Sequence, residues 1–162
     1  MSATRDRTGV EHEAIVDAVL SASRVLVAVA ARSLGDVAEE VTLTQYRTLV
    51  VLASRGPQRL AALAEAVDVT PPTATRMCDR LVRRGLVVRR HERDDRRTIR
   101  LSLSDTGQAL VHAVTERRRA EIARLLQAIP RSQQSALVDS LQRLTAAAGE
   151  VPEQDWSTGW DL

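Results

Sequence analysis

The stretch LAEAVDVTPPTATRMCDRLVRRGLVVR, Leu63–Arg89, decides the fold. Together with Leu60, its apolar residues Leu63, Ala64 and Val67 line one face of a short helix, and Asp68 and Val69 form a tight turn. Thr70 can cap a second helix whose first turn holds Pro71 and Pro72, where missing N–H groups cost least. On that helix Ala74, Met77, Cys78 and Leu81 fall at i, i+3, i+4 and i+7 and form the buried stripe. The opposite face carries Pro72, Arg76, Asp79, Arg80 and Arg83, with Thr73 and Thr75 at its edges. Gly85 ends the helix.

Downstream the period changes from helix to strand. LVVRRH and RTIRLSLS are β-favouring runs, and Ile99, Leu101 and Leu103 alternate with Arg100 and Ser102 as a half-buried strand requires. The residues between them become a hairpin tip within RRHERDDRRTIR, Arg89–Arg100, where six arginines and one histidine meet three acidic residues. Ser104 or Asp105 then caps a helix of roughly 25 residues ending at Ile129, about 37 Å long. Pro130 breaks it, and a last helix repeats the spacing with Leu137, Leu141, Leu144 and Ala148. Upstream, Ile15, Val19, Ala22, Leu26 and Val29 mark a long first helix with a narrow apolar seam. A second helix is expected to start with Thr44 as N-cap, run through QYRTLVVLAS and stop at Gly56-Pro57. The tail GEVPEQDWSTGWDL reads as loosely ordered apart from its two tryptophans. The fold class is therefore mainly α with a small β-hairpin (α+β), a winged helix-turn-helix flanked by long helices.

With 162 residues the chain fits one domain, and 44% hydrophobic content suffices for a core. The longest uninterrupted apolar run, Val25–Ala31, is far short of the roughly 20 residues that span a membrane, and the first residues lack a secretory apolar stretch, so a cytoplasmic protein is expected. One cysteine and three scattered histidines (His12, His91, His112) offer neither a disulfide nor metal-ligand spacing, so no metal or cofactor is expected. No Gly-rich phosphate loop, Ser-His-Asp set or paired carboxylates suggest an enzyme. All 23 basic residues are arginine and the net charge is only +2, but ten arginines against four acids from Arg76 to Arg100 give a local excess of +6. Such a patch on a near-neutral chain suits an anionic partner, nucleic acid first.

From about Leu43 to Leu110 the chain resembles the MarR family of bacterial transcription regulators. The resemblance rests on the opening stretch, on DRR at Asp95–Arg97 with its D-x-R spacing, and on IRLSLSDTG, Ile99–Gly107. It implies a single domain over 1–162, with a winged helix-turn-helix at 43–104, dimerisation helices at 10–34 and 105–148, and the loose tail at 149–162. It further implies a homodimer that reads an inverted repeat in double-stranded DNA. In that family the regulator is more often a repressor, released when a small anionic or aromatic effector binds between the dimerisation helices and the winged helix. Tyr46 is a candidate border of such a pocket.

Within that frame Arg76 is the first candidate for a guanine edge or a phosphate, against the bland reading of a surface arginine. Thr73, Thr75 and Arg80 are expected to contact phosphates or base edges and fix register, and Thr70 and Arg83 are further DNA-contact candidates, with Arg83, like Arg84, open to the plain reading of solvating the helix end. Asp79, adverse for DNA, is expected to pair with Arg76 or Arg83 across a helical turn. Arg97 is expected to enter the minor groove, where negative potential is concentrated. Asp95, two residues away, can hold the Arg97 guanidinium in place, and the D-x-R motif implies that pairing. Arg93 and Arg96, like Arg89, Arg90 and Arg100, are phosphate contacts or solvated edge. Cys78, on the buried stripe, reads as core packing, the alternative being a redox-responsive regulator. The run Arg117–Arg119 reads as the solvated side of a helix. A winged-helix module that binds protein remains the other alternative, separable by the salt dependence of DNA binding.

Overall fold

In a computed structural model of the chain, the structure describes residues 2–35, 37, 41–91 and 99–156, with side chains from residue 12 onward. Its elements in order are α1 (Ser2–Leu34), α2 (Leu43–Arg55), α3 (Leu60–Ala66), α4 (Pro71–Arg83), β1 (Val87–His91), β2 (Ile99–Leu103), α5 (Asp105–Leu126) and α6 (Arg131–Ala147), then a 3-10 turn at Glu153–Asp155. The core is built from α2, α3, α4, the hairpin and the first half of α5, with Leu49, Leu52, Leu63, Cys78, Leu81, Leu101 and Val111 at its centre. This is the winged helix-turn-helix expected from the opening stretch.

Local chemistry sets the element ends. Asp68 takes the left-handed conformation, φ 52°, which a short polar side chain tolerates. The N-cap of α2 is Thr42, not Thr44. Thr42 forms a capping box in which its hydroxyl accepts from the Gln45 N–H at 3.3 Å and the Gln45 side chain accepts from the Thr42 N–H at 3.1 Å. Thr44 lies inside the first turn, where its carbonyl accepts from the Thr48 hydroxyl. Thr70 holds the N-cap position of α4, but its hydroxyl meets the Thr73 hydroxyl at 3.0 Å and caps no backbone N–H. Ser104, the first of the two expected caps, accepts from the Gly107 N–H at 3.0 Å. Gly107 has no room for a side chain, because a methyl group there would lie well inside contact distance of the Leu86 carbonyl. Helix α5 thus starts directly against the turn that closes α4. It ends at Leu126, three residues short of the expected Ile129, in turns from Gln127 to Ile129.

The two strands pair antiparallel in the register Val87↔Leu103, Arg89↔Leu101, His91↔Ile99. Gln58, in the α2–α3 connection, adds a bridge to Leu101 through backbone bonds of 2.9 and 2.8 Å, so the hairpin is bonded to the body along one edge.

The outer helices are apolar on surfaces that this chain leaves uncovered. Ile15, Val19 and Leu26 of α1, Leu125 of α5, and Val138, Leu141 and Leu144 of α6 are each 46% to 62% exposed except Val19 at 43%, and α6 buries none of its residues. By length and composition His12–Leu34 is apolar enough to cross a membrane, which counting uninterrupted runs misses because Asp17 and Arg24 divide the stretch. Among the described side chains of α1 only those near its end are packed, through Val29 and Leu34, with an Arg32–Glu121 ion pair to α5.

Trp156, one of the two tryptophans excepted from the tail's expected looseness, is packed, and Glu150 and Glu153 before it are fastened as well. Trp156 is 8% exposed within the core cluster and its indole N–H donates to the Val151 carbonyl at 3.2 Å. Glu150 makes two bonds to the Arg47 guanidinium, 2.8 and 2.6 Å, and Glu153 bonds Arg119 at 2.8 Å. One large apolar group, preceded by acids that face arginines on α2 and α5, outweighs the segment's polar composition.

Candidate nucleic-acid interface

Helix α4 buries Ala74, Met77, Cys78 and Leu81, which turns Arg76, Arg80 and Arg83 outward at i, i+4 and i+7. All three are exposed, as are Thr70 and Thr75, while Thr73 is half-buried. The six candidates on this helix therefore lie together at its tip and along one face. Their hydroxyls are not equally available: Thr75 donates to the Pro71 carbonyl at 2.9 Å, and Thr70 and Thr73 bond each other. Because prolines occupy the first two helical positions, the amide donors that make a helix N-terminus attractive to phosphate are reduced here. Side chains must supply most of the anion contacts.

Asp79 does not pair with Arg76 or Arg83. It accepts from the Arg89 guanidinium of β1. Strand alternation explains this: Arg89 shares the hairpin face of Val87 and Leu101, which is turned toward the core and α4, so it reaches the helix while staying partly exposed. Arg100 likewise donates to the Pro57 carbonyl at 3.2 Å. These two arginines, undecided between phosphate contact and solvated edge in the sequence, tie the hairpin to the body, whereas Arg90 is exposed. Arg93, Asp95, Arg96 and Arg97 lie outside the described residues, and so does the proposed Asp95–Arg97 pair.

Tyr46 is 3% exposed, with its hydroxyl 3.4 Å from the Thr115 hydroxyl and 3.5 Å from the Val111 carbonyl; burial pushes the phenol pKa up. Arg118 lies over its ring at 5.5 Å, a cation–π distance. Next to them a cavity of about 290 Å³ is lined by Thr115, Arg118, Arg119, Ile122, Ala123, Leu126 and Glu153. The Arg118 Nε is buried with no hydrogen-bond partner among the described residues. The run Arg117–Arg119 is thus no plain solvated face. Arg117 donates to the Leu34 carbonyl at 3.5 Å, Arg118 covers Tyr46, and Arg119 pairs with Glu153. A charge run carries no sign of which members turn inward, so these roles are invisible without the packing. Cys78 is 1% exposed and burial raises its thiol pKa, the opposite of an activated thiolate. Among the described residues no cluster of His, Cys, Asp or Glu could hold a metal.

Comparison with known proteins agrees with this geometry. The profile described as MarR family matches residues 41–99. The HTH-type transcriptional repressor MdtR of Bacillus subtilis is 32% identical over 119 residues, 74% of this chain and 77% of MdtR. Among solved structures, RV1404 from Mycobacterium tuberculosis superposes with a TM-score of 0.79 at 41% identity, over 86% of this chain and 95% of that one. Streptococcus pneumoniae FabT, solved in complex with DNA, shares the fold with a TM-score of 0.69 at 18% identity, over 85% and 97% of the two chains.

Proposed function

Because this chain belongs to the MarR family and is a DNA-binding transcriptional regulator, we propose that it acts as a cytoplasmic homodimer which represses transcription from an inverted-repeat operator and lets go when a small anionic or aromatic effector binds. The observation that carries the DNA contact is the uncovered face of α4, where Arg76, Arg80 and Arg83 stand in line with Thr73 and Thr75 at its edge. A helix of that kind fits the major groove, with the hairpin reaching the flanking DNA. The DNA complex of FabT supports this use of the fold, and the repressor name of MdtR supports the sign of regulation.

Dimerisation is supported by the uncovered apolar side chains of α1, α5 and α6. Each such side chain contributes roughly 1.5–3 kcal/mol when fully buried. A twofold partner covers the same surface on both copies and sets two recognition helices about 34 Å apart, one turn of DNA. The effector reading is supported by the cavity beside Tyr46, where Arg118, whose buried Nε has no partner among the described residues, lines the wall with apolar Ile122, Ala123 and Leu126. Cation and apolar wall together suit a small aromatic acid. Such a ligand releases DNA if it favours a dimer with the wrong helix spacing.

Selection of bound sequences from random DNA, followed by titration of salt against the preferred duplex, tests the reading. An inverted repeat and a steep log–log slope are expected. A flat salt response, or a monomer in sedimentation, would sink it. Screening small aromatic acids for release of the same duplex tests the effector.

A further inference from the structure

We propose that residues 150–156 form a strap which fixes the far end of α6 to α2 and α5 and thereby holds the winged helix at a set distance from the dimer seam. The inference rests on the homodimeric reading above. Its starting point is that α6 buries none of its residues and leaves the domain at the turn before Pro130. The strap fastens its other end. Gly149, at φ 66°, reverses the chain and its carbonyl accepts from Arg55 at 3.5 Å. Glu150 then clasps Arg47 of α2 through both carboxylate oxygens, Glu153 bonds Arg119 of α5, and Trp156 is buried in the core cluster.

Two of these anchors are ionic and one is apolar, and they fall on two different helices. That arrangement resists rotation of α6 as well as its departure. The leverage is large: a 17-residue helix is about 25 Å long, so a tilt of about 10° at the Pro130 turn moves the other end by about 4 Å. In a dimer closed partly through α6, such a tilt displaces the recognition helices from the spacing set by one turn of DNA. If loosening leaves the correct spacing populated about a tenth of the time, the apparent affinity for DNA falls about tenfold.

Electrostatics makes the test sharp. Ending the chain after Gly149 removes Glu150, Glu153, Asp155 and Asp161, so the net charge goes from +2 to +6. Charge alone would tighten binding to DNA; loss of the strap weakens it. Three chains are compared at fixed salt: intact, ended after Gly149, and Glu150→Gln, whose half-exposed pair with Arg47 can be lost without unfolding. Sedimentation gives the assembly state, amide exchange gives the protection of α6, and titration uses the duplex selected by the intact chain. The shortened chain is expected to stay dimeric, to exchange the last turn of α6 at least fivefold faster and to bind about tenfold more weakly. Glu150→Gln is expected to shift both in the same direction by less. Unchanged exchange together with unchanged or tighter binding in the shortened chain overturns the strap. If that chain does not fold, the same pattern in Glu150→Gln overturns it. An intact chain that selects no duplex sinks the DNA reading, and exchange in α6 then decides the strap alone.

Discussion

The Asp79 carboxylate on the recognition helix is bonded to the Arg89 guanidinium on the first wing strand. A carboxylate on the face proposed to meet DNA is thereby neutralised by an arginine that would otherwise be counted among the phosphate contacts. Each side chain of the pair is more than a third exposed, so its contribution to folding stability is at most about 1 kcal/mol.

The pair predicts a pattern in salt dependence. Asp79→Ala should steepen the log–log slope of DNA binding by about one, and Arg89→Ala should flatten it by about one. The double variant should regain the slope of the intact protein. If Arg89 touched a phosphate, the double variant would instead stay flattened.

Gly107→Ala should destabilise the fold by about 1–3 kcal/mol, because the added methyl meets the Leu86 carbonyl, a backbone atom that cannot turn aside. For a chain of this size that lowers the thermal midpoint by roughly 2–4 °C per kcal/mol. Gly149→Ala faces a positive φ, which Gly107 does not, but meets no neighbour, so the steric loss is specific to Gly107. An unaltered midpoint in Gly107→Ala contradicts the tight junction between α5 and the recognition helix.

In the wing, Arg97→Ala should cost about 1–3 kcal/mol of affinity for the selected duplex and leave the circular dichroism spectrum intact. Asp95→Ala should weaken binding too, although it removes a negative charge. Tighter binding in Asp95→Ala would show that it repels DNA and does not orient Arg97.

The Arg47 guanidinium bonded to Glu150 holds its carboxyl pKa below the usual range. A lowered pKa in the folded state means that the strap's contribution is complete above the ordinary carboxylate range and is lost as pH falls through the folded value. With both groups partly exposed, the effect is under about 1 kcal/mol. Emission from Trp156, measured with Trp160→Phe to leave one indole, should move toward that of a solvated indole on acidification. Glu150→Gln should shift emission that way at neutral pH; identical acid titrations in the two chains would assign the change elsewhere.

What is legible in the sequence depends on distance along the chain. The turn at Asp68, the Ala74–Leu81 stripe and the strand alternation of Ile99, Leu101 and Leu103 rest on residues within one turn or one strand of each other, and periodicity is enough. The partner of Asp79 is not legible, because helical spacing offers Arg76 and Arg83 while hairpin register delivers Arg89. Similarly, Thr44 resembles a cap as well as Thr42 does, and only the reciprocal bond from Gln45 separates them. Arg118 and the strap escape for another reason: both depend on contacts between α2, α5 and the tail, about 70 and 100 residues apart in the chain.

The Gln58–Leu101 bridge and the Arg100–Pro57 bond join the wing to the segment that ends α2, and α2 carries Arg47, the anchor of the strap. A wing drawn into a groove therefore loads α2 directly, without passing through the recognition helix. Binding linkage is reciprocal: whatever factor a fastened strap adds to the affinity for DNA, bound DNA returns to the fastening of the strap. Protection of α6 and Trp156 should then rise on addition of the duplex, which makes the C-terminal segment a reporter of DNA occupancy.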